Sequence, residues 1–241
     1  MSNSLELFCP AIGPTFAEAT VTWNDTMTKP WKIEVDDLAE GNDAGYLSKV
    51  QRFHTRTKAT IEGLLHADLY IHEHDWDRRV LAEFEDPQVG VVGFVGARRL
   101  GHLDIYKVPY DYTQLARAEV LSNLTDAEIH GDRFVGSAEV AVVDSCAVFV
   151  RHELLARTAG WPVSTYPDNT HCTDLWVCLS ARRHGYRVRM VGVGATHRSG
   201  GRGAAGEQWL SDRGGDQSMH RRAHELIYDQ FRDILPVRIG G

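Results

Sequence analysis

Residues Asp68 to Asp77 read Asp-Leu-Tyr-Ile-His-Glu-His-Asp-Trp-Asp, a short apolar run followed by a crowd of ionisable groups. The pattern predicts a buried strand over 69–71 and a new helix from Trp76. An open α/β sheet binds its ligands at the carboxyl ends of its strands. Glu73 and Asp75 are one residue apart and would point the same way from an extended backbone. This spacing predicts two carboxylates that face one divalent cation.

The same stretch has a simpler interpretation as an acidic turn at the start of a helix, with Asp75 or Asp77 as the N-cap. Acidic clusters at helix starts are common. These ten residues leave both interpretations open, so the remaining sequence has to decide between them.

The chain has 241 residues, 43% hydrophobic content and a net charge of -7. This size and content suit one domain with a substantial core. The four cysteines form no C-x-x-C pair and are predicted to be reduced and packed, which favours a reducing compartment. The amino terminus lacks the pattern of an export signal, and no run of about 18 apolar residues predicts a membrane span. We therefore expect a cytoplasmic protein.

Charge is distributed unevenly along the chain. Residues 171–241 contain eleven Arg, no Lys and seven acidic residues, a formal charge of +4 that leaves -11 for the preceding part. A basic carboxyl-terminal third suits a phosphate-bearing ligand, and a solvated Arg-rich surface explains it equally well. The overall acidity, with a pI near 5.9, disfavours a protein that binds nucleic-acid duplexes through their phosphates.

Strand-like and helix-like patterns alternate over the first hundred residues. Strands are predicted at 5–9, 31–35, 69–71 and 88–95. The most regular helical spacing begins at Tyr46 and continues to Leu64. This β-α-β order is typical of a parallel layered sheet.

The second half is predicted to contain a helix over 115–124, a long strand over 139–150, a helix that starts near Thr173 and a strand over 186–193. Asp144 and Ser145 lie in the middle of the long strand, where a buried carboxylate needs a partner. A glycine-rich, cationic loop follows at 196–203, and the last helix is predicted over 219–235.

Seven short pieces, taken in order, resemble the inverting family 2 glycosyltransferases of the GT-A fold. They are Phe8-Cys9-Pro10, Val35-Asp36-Asp37, Gly45 with the helix after it, Ile71-His72-Glu73-His74-Asp75, Val143-Asp144-Ser145, Thr173-Asp174-Leu175-Trp176 and Thr196-His197-Arg198-Ser199-Gly200. The resemblance implies an α/β GT-A fold with a mostly parallel central sheet flanked by helices. It implies one domain over 1–241, with a nucleotide-binding half at 1–100, an acceptor and catalytic half at 101–210, and a helical tail at 211–241.

The resemblance also implies a metal site and a catalytic base. In the family an acidic D-x-D element holds the metal of a nucleotide-sugar donor, and Glu73-His74-Asp75 occupies its place. Asp75 is expected to ligate the metal, and Glu73, also counted with the metal site, to act on the ribose or on metal-bound water. His197 matches the histidine that completes the metal shell. A metal shell of carboxylates and an imidazole suits Mn²⁺ at least as well as Mg²⁺. Asp174 matches the position of the general base.

Residues for donor binding follow from the same resemblance. Those expected to contact the nucleotide, the sugar or the diphosphate are Pro10, Ala11, Asp36, Asp37, Gly45, Lys49, Glu73, His74, Asp144, Ser145, Arg198 and Arg202.

The resemblance implies an enzyme, a metal-dependent inverting transferase that moves a sugar from a nucleotide diphosphate, in particular a UDP-sugar, to an acceptor hydroxyl. Without a predicted membrane span, a protein, a small glycoside or a modified DNA base is favoured as the acceptor. Compact forms of the fold occur in bacteria and bacteriophages, so decoration of viral DNA or virion proteins in the host cytoplasm is a further hypothesis. Two alternatives stay open: a nucleotidyltransferase or sugar-nucleotide pyrophosphorylase, and a non-catalytic nucleotide-sugar binding module.

Overall fold

A seven-stranded sheet forms the centre of the protein. The computed structural model describes residues 3–11, 15–37, 45–101, 115, 117–125, 131–166, 172–198 and 218–240. The strands within them are β1 (Leu5–Ala11), β2 (Lys32–Asp37), β3 (Ile61–Leu65), β4 (Leu69–Ile71), β5 (Val89–Gly93), β6 (Gly96–Leu100), β7 (Arg117–Ser122), β8 (Asp132–Arg133), β9 (Ser137–Glu139), β10 (Val142–Val143), β11 (Ala147–Arg151), β12 (Arg187–Val191), β13 (Ala195–His197) and β14 (Val237–Arg238). The helices are α1 (Thr15–Thr26), α2 (Tyr46–Arg56), α3 (Trp76–Glu83), α4 (His152–Arg157), α5 (Thr173–Arg183) and α6 (Ser218–Phe231). No helix in these ranges combines the length and the apolar content that crossing a bilayer requires.

The central sheet has the strand order β2-β1-β3-β11-β5-β12-β9. β1 pairs in parallel with β2 and β3, and β5 pairs in parallel with β12. β11 is antiparallel to both of its neighbours, and β9 is antiparallel to β12. The predicted α/β fold with a mostly parallel central sheet is therefore confirmed. Because β1, β2 and β3 run the same way, their carboxyl ends meet at one edge.

Apolar clusters cover both faces of this sheet. Phe8 of β1 packs on one face, with its ring centroid 5.3 Å from that of Phe53 in α2. Its neighbour Leu7 points to the other face, into the cluster that contains Trp76 of α3. Strands covered on both sides are apolar along their length, which explains the uninterrupted apolar runs in the sequence.

The predicted helix from Tyr46 to Leu64 is correct only in its first part. α2 ends at Arg56, and Thr57 donates its N–H to the carbonyl oxygen of Phe53. Residues 61–65 form β3, a central strand between β1 and β11. The helical prediction is wrong for 61–64 because all five residues of β3 are buried, and a short, fully buried strand has no period that distinguishes it from a helix.

A second sheet contains β10, β6, β7 and β8 in that order, with β14 paired to β6. β7 lies within the segment 115–124, where we predicted a helix, so that prediction is wrong for 117–122. The predicted strand over 139–150 is divided between two sheets, since β10 pairs with β6 and β11 belongs to the central sheet. Asp144 and Ser145 lie at this break, where a polar side chain can reach the site.

β4, the strand predicted from the stretch 68–77, lies outside the central sheet. It pairs with β13 in antiparallel register, with Leu69 opposite His197 and Ile71 opposite Ala195. The amino end of β4 therefore lies beside His197, and its carboxyl end lies toward Gly194. This register decides which ionisable residues can meet His197.

Gly192, between β12 and β13, lies against the backbone of Phe134. A Cβ at this position would be 1.8 Å from the Phe134 carbonyl oxygen, so Gly192→Ala has to displace the main chain. We expect the free energy of unfolding, measured by urea denaturation, to fall by about 2 kcal/mol, a typical cost of overpacking. Gly194→Ala is the matched control, because its Cβ would lie no closer than 3.5 Å to Glu73. Equal stability of the two variants would contradict the close approach at Gly192.

Candidate active site

The ends of three parallel strands form one side of the candidate site. Pro10 and Ala11 end β1 and lie beside Asp36 and Asp37 at the end of β2. β3 runs beside β1 in the same direction, and His66 directly follows it. The side chains of Ala11 and Asp37 are outside the described part of the structure. The predicted nucleotide-binding residues and the end of β3 therefore share one edge of the sheet.

Two cations of α2 hold Asp36. Lys49 Nζ lies 2.8 Å from Asp36 Oδ1, and Arg52 Nη2 lies 3.0 Å from Oδ2. The Lys49 side chain is fully buried, where a charge requires a partner. Gly45 is the N-cap residue of α2, and its carbonyl oxygen accepts the N–H of Lys49 at 3.2 Å. The structure thus brings Asp36, Gly45 and Lys49 together.

Three side chains of metal-binding type meet where β13 passes the end of β3. His197 Nε2 is 3.3 Å from His66 Nδ1 and 3.3 Å from Asp68 Oδ1. All three ligand atoms lie within 4.8 Å of one another. Two imidazoles and a carboxylate suit Mn²⁺ and other transition metals. This donor set fits the divalent cation that the family resemblance implies, and we call it the donor-site triad.

The electrostatics of the donor-site triad favour its ligating forms. Burial lowers the pKa of His66, and His197 lowers it further. Burial alone would raise the pKa of Asp68, but the hydrogen bond and charge of His197 outweigh this effect and lower it. A metal ion binds a neutral imidazole and an ionised carboxylate, so both shifts assist binding.

Glu73 holds the segment that precedes β13. Its Oε2 accepts the N–H of Gly194 at 2.8 Å, and its Oε1 pairs with Arg79. Arg79 also donates to the carbonyl oxygens of Val135, at 2.7 Å, and Gly192, at 3.3 Å. Both oxygens of Glu73 are therefore engaged by neighbouring protein groups.

Asp75 and His74 lie at the start of α3. Asp75 is the N-cap residue of that helix, and its half-exposed carboxylate is 3.5 Å from Arg78. His74 is exposed. Within the described residues, no three ligand atoms closer than 4.8 Å unite Asp75 or Glu73 with His197. The segment therefore forms a turn at the start of α3, but the Asp75 side chain makes no capping hydrogen bond, and the buried Asp77 carboxylate accepts hydrogen bonds from Thr28 and Trp31 instead.

Arg117 joins Asp144 and Asp174. Its Nη1 donates to Asp144 Oδ2 at 2.7 Å, and its Nη2 donates to Asp174 Oδ2 at 2.6 Å. Burial would lower the pKa of Arg117, but the two carboxylates outweigh it and raise the pKa. For Asp144 the directions are reversed. Burial alone would raise its pKa, but the positive charge of Arg117 outweighs burial and lowers it. The Asp174 side chain is 4% exposed and that of Asp144 32%, so Asp144 is the more accessible carboxylate.

This ion-pair group adjoins the donor-site triad. Cys146 donates its N–H to Asp144 Oδ1, and its carbonyl oxygen accepts the N–H of His66, both at 3.0 Å. The side chain of Tyr46, at the start of α2, hydrogen-bonds that of Thr173, at the start of α5. The beginnings of α2 and α5 therefore meet near the ion-pair group, to which α5 contributes Asp174.

Arg117→Met keeps an apolar stem but removes the cation between the two aspartates. We expect the free energy of unfolding at neutral pH to fall by about 2 kcal/mol, because two charged acceptors lose their partner. The folded-state pKa of Asp144 is lowered, so its stabilising contribution is complete above its ordinary pKa of about 4 and is lost as the pH falls below that. The difference in the free energy of unfolding between the wild type and Arg117→Met should therefore become smaller in acid. Urea titrations at neutral pH and at a pH below the ordinary pKa of Asp test this, with Arg117→Lys as the charge-retaining control. Equal stability of the wild type and Arg117→Met at neutral pH would contradict the prediction.

Arg198 follows β13 and lies against Tyr70. Its Nη1 is 3.4 Å from the Tyr70 hydroxyl, and its guanidinium covers the ring at 4.2 Å. Ser145 is partly buried beside Asp144. Arg202 lies outside the described residues. Of the two predicted loop arginines, the structure thus places Arg198 next to His197.

The sequence patterns did not single out His66, Asp68 or Arg117. A signal for the first two exists, since the buried run 61–65 is followed directly by His66-Ala67-Asp68. Because the pattern predicts a helix that extends through Leu64, it does not place His66 and Asp68 after a strand. Arg117 has no comparable signal, because it comes from β7 of the second sheet.

Two solved structures share the fold. The mannosyltransferase PcManGT from Pyrobaculum calidifontis, in complex with GDP-Man and Mn²⁺, aligns over 95% of this chain and 70% of its own, with a TM-score of 0.54 and 12% identity. TarS from S. aureus aligns over 80% of this chain and 36% of its own, with a TM-score of 0.51 and 11% identity. At these identities the likeness establishes the fold alone, and it confirms the GT-A prediction.

A search of curated proteins found none with significant similarity to this sequence. Residues 14–225, most of the chain, match the profile of a family described as glycosyltransferase-like. This match agrees with the resemblance drawn from the seven short pieces and with the observed fold. The chain therefore belongs to this glycosyltransferase family, and the prediction of an enzyme of that class is confirmed.

Proposed function

We propose that this glycosyltransferase moves a sugar from a nucleotide-diphosphate donor to an acceptor hydroxyl, with inversion and with a divalent cation. The observation that supports this most strongly is the convergence of the donor-site triad with Asp144, Arg117 and Asp174 at one edge of the sheet. This edge is formed by the carboxyl ends of parallel strands, where α/β sheets bind their ligands.

The nucleotide is assigned to the ends of β1 and β2. Pro10 and Ala11 would border the base, and Asp36, Asp37 and Lys49 would border the nucleoside. Asp36 already pairs with Lys49, so a nucleotide would meet a preorganised polar group. The family resemblance favours UDP, whereas the mannosyltransferase of the same fold binds GDP-Man. The two nucleotides therefore have to be compared directly.

In this proposal the cation is assigned to His66, Asp68 and His197, in place of the Glu73 and Asp75 pair. A bound divalent cation would offset the negative charge that develops on the leaving diphosphate. Arg198, directly after His197, would add positive charge on the same side, and Arg202 is proposed to do so as well. The neutral His66 and the ionised Asp68 prepare this edge for the cation.

Asp174 is proposed as the general base. It lies in the first turn of α5, and a carboxylate there would take the proton from the acceptor hydroxyl as its oxygen attacks the sugar. Arg117 holds Asp174 and Asp144 in a fixed relation. Asp144, which is more exposed, and Ser145 are assigned to the donor sugar.

Calorimetric titration of UDP and of GDP, each with and without Mn²⁺, tests the donor site. We expect one of them to bind only when Mn²⁺ is present. The corresponding nucleotide-sugars would then be screened for transfer to proteins, glycosides and modified nucleosides, with the anomeric configuration of the product read by NMR. Retention of configuration would contradict the inverting mechanism.

Assays of the reaction products separate the alternatives. Release of pyrophosphate from a nucleoside triphosphate and a sugar phosphate would identify a pyrophosphorylase. Nucleotide-sugar binding without transfer or donor hydrolysis would identify a binding module. Failure of every nucleoside diphosphate to bind, with or without metal, would overturn the proposal.

A further inference from the structure

A second group of metal-binding side chains lies near the amino end of β3, away from the candidate active site. Glu62 Oε1 is 2.7 Å from His54 Nδ1 and 2.6 Å from His152 Nδ1. The three ligand atoms lie within 4.8 Å of one another. His54 comes from the last turn of α2, Glu62 from β3, and His152 from the first position of α4. Three separate elements therefore converge on one point.

The carboxylate of Glu62 is only partly compensated. Its side chain is fully buried, and Oε2 has no hydrogen-bond partner in the part of the chain that the structure describes. The residue beside Glu62 on β1 is a second carboxylate, Glu6, which binds Lys32 at 3.3 Å and Thr57 at 2.7 Å. A buried carboxylate oxygen without a partner is costly, and a cation within its reach would remove that cost.

We propose that His54, Glu62 and His152 bind a zinc ion. Two imidazoles and a carboxylate form a known zinc ligand set that leaves the fourth position to water. Zinc bonds of about 2.0 Å place tetrahedral ligand atoms roughly 3.3 Å apart, so a small opening of the present contacts admits the ion. The His152 side chain is 36% exposed, which opens a path from solvent.

The bound ion ties α2 and α4 to the central sheet. Because the unfolded chain does not hold the three ligands together, zinc binding stabilises the folded state. The site is separate from the donor-site triad, and it does not depend on the proposed transfer reaction.

Cobalt(II) binding, followed by visible absorption, tests the site on the full chain. The double variant Asp68→Asn/His197→Asn removes the donor-site triad and should still bind one equivalent of cobalt, which zinc then displaces. His152→Asn in that background retains an N–H donor for Glu62 but lacks the imidazole. We expect it to weaken cobalt binding by more than about 100-fold, since even the loss of an outer-shell partner of a metal ligand costs 10- to 100-fold. In the wild type, the same substitution should reduce two equivalents to one.

Thermal unfolding provides a second readout. Zinc should raise the midpoint of the Asp68→Asn/His197→Asn variant and should not raise that of the variant that also carries His152→Asn. Equal cobalt affinity with and without His152→Asn would overturn the proposal. The proposal would also be overturned if the Asp68→Asn/His197→Asn variant folded cooperatively but bound no cobalt. The cluster would then be only a hydrogen-bonded network of two histidines and a glutamate.

Discussion

Asp68→Asn is expected to abolish metal-dependent nucleotide binding, whereas Asp75→Asn should leave it unchanged. Asp68 contributes its carboxylate to the donor-site triad, 3.3 Å from His197. Asparagine keeps the size of the side chain but removes the charge. We expect the affinity for Mn²⁺ to fall by more than about 100-fold, because even the loss of a group that only supports a metal ligand costs 10- to 100-fold. Calorimetric titration of Mn²⁺ and of nucleotide measures both consequences.

Asp75→Asn is a matched control because its backbone has a φ of 60°, a conformation that Asn tolerates and Ala does not. The Asp75 carboxylate is half-exposed and near Arg78, and surface pairs of this kind contribute little to stability. If Asp75→Asn lost nucleotide binding and Asp68→Asn retained it, the metal site would have to be returned to Glu73 and Asp75.

Asp174→Asn is expected to lower kcat by about 1,000-fold with little change in KM for the donor, within the usual range of 10²- to 10⁴-fold for a general base. The amide cannot accept the proton of the acceptor hydroxyl. It still fills the buried position beside Leu175, whose N–H reaches Asp174 Oδ1 at 2.8 Å. Initial rates of transfer, measured over donor concentration, separate kcat from KM.

Asp144→Asn is the companion variant, since Asp144 shares Arg117 with Asp174. We expect it to raise KM for the donor more than it lowers kcat, because Asp144 is assigned to the sugar. The opposite pattern, with kcat lost in Asp144→Asn alone, would transfer the role of base to Asp144.

The sequence predicted the fold class because the strands of a parallel sheet are covered on both faces. β1 and β5 are apolar along most of their length and are separated by amphipathic helices, and their order alone indicates layered β-α units. The family resemblance, through the piece Thr196-His197-Arg198-Ser199-Gly200, also predicted His197 as a metal ligand. The structure places it within the donor-site triad, although its role there remains a proposal.

The structure gathers side chains of metal-binding type at the end of β3, whereas the sequence pattern predicted them after β4. The spacing of Phe53, Thr57, Ile61 and Leu64 fits a helix, and it predicts one that extends over the first four residues of β3. The sequence pattern therefore predicts the next apolar run, 69–71, as the strand that precedes the metal ligands. In the structure that run is β4, which pairs with β13, and Glu73 after it accepts the N–H of Gly194.

Local sequence determined the α/β class, the helix that begins at Tyr46, and the chemical types available for a nucleotide-sugar site. These depend on periodicity and on residue chemistry, which a single stretch of chain contains. Only the tertiary structure decided that Asp68 and His66, rather than Asp75, meet His197, and that Arg117 joins Asp144 to Asp174. Such contacts depend on strand order and register between segments as many as 131 residues apart, and no local pattern specifies that pairing.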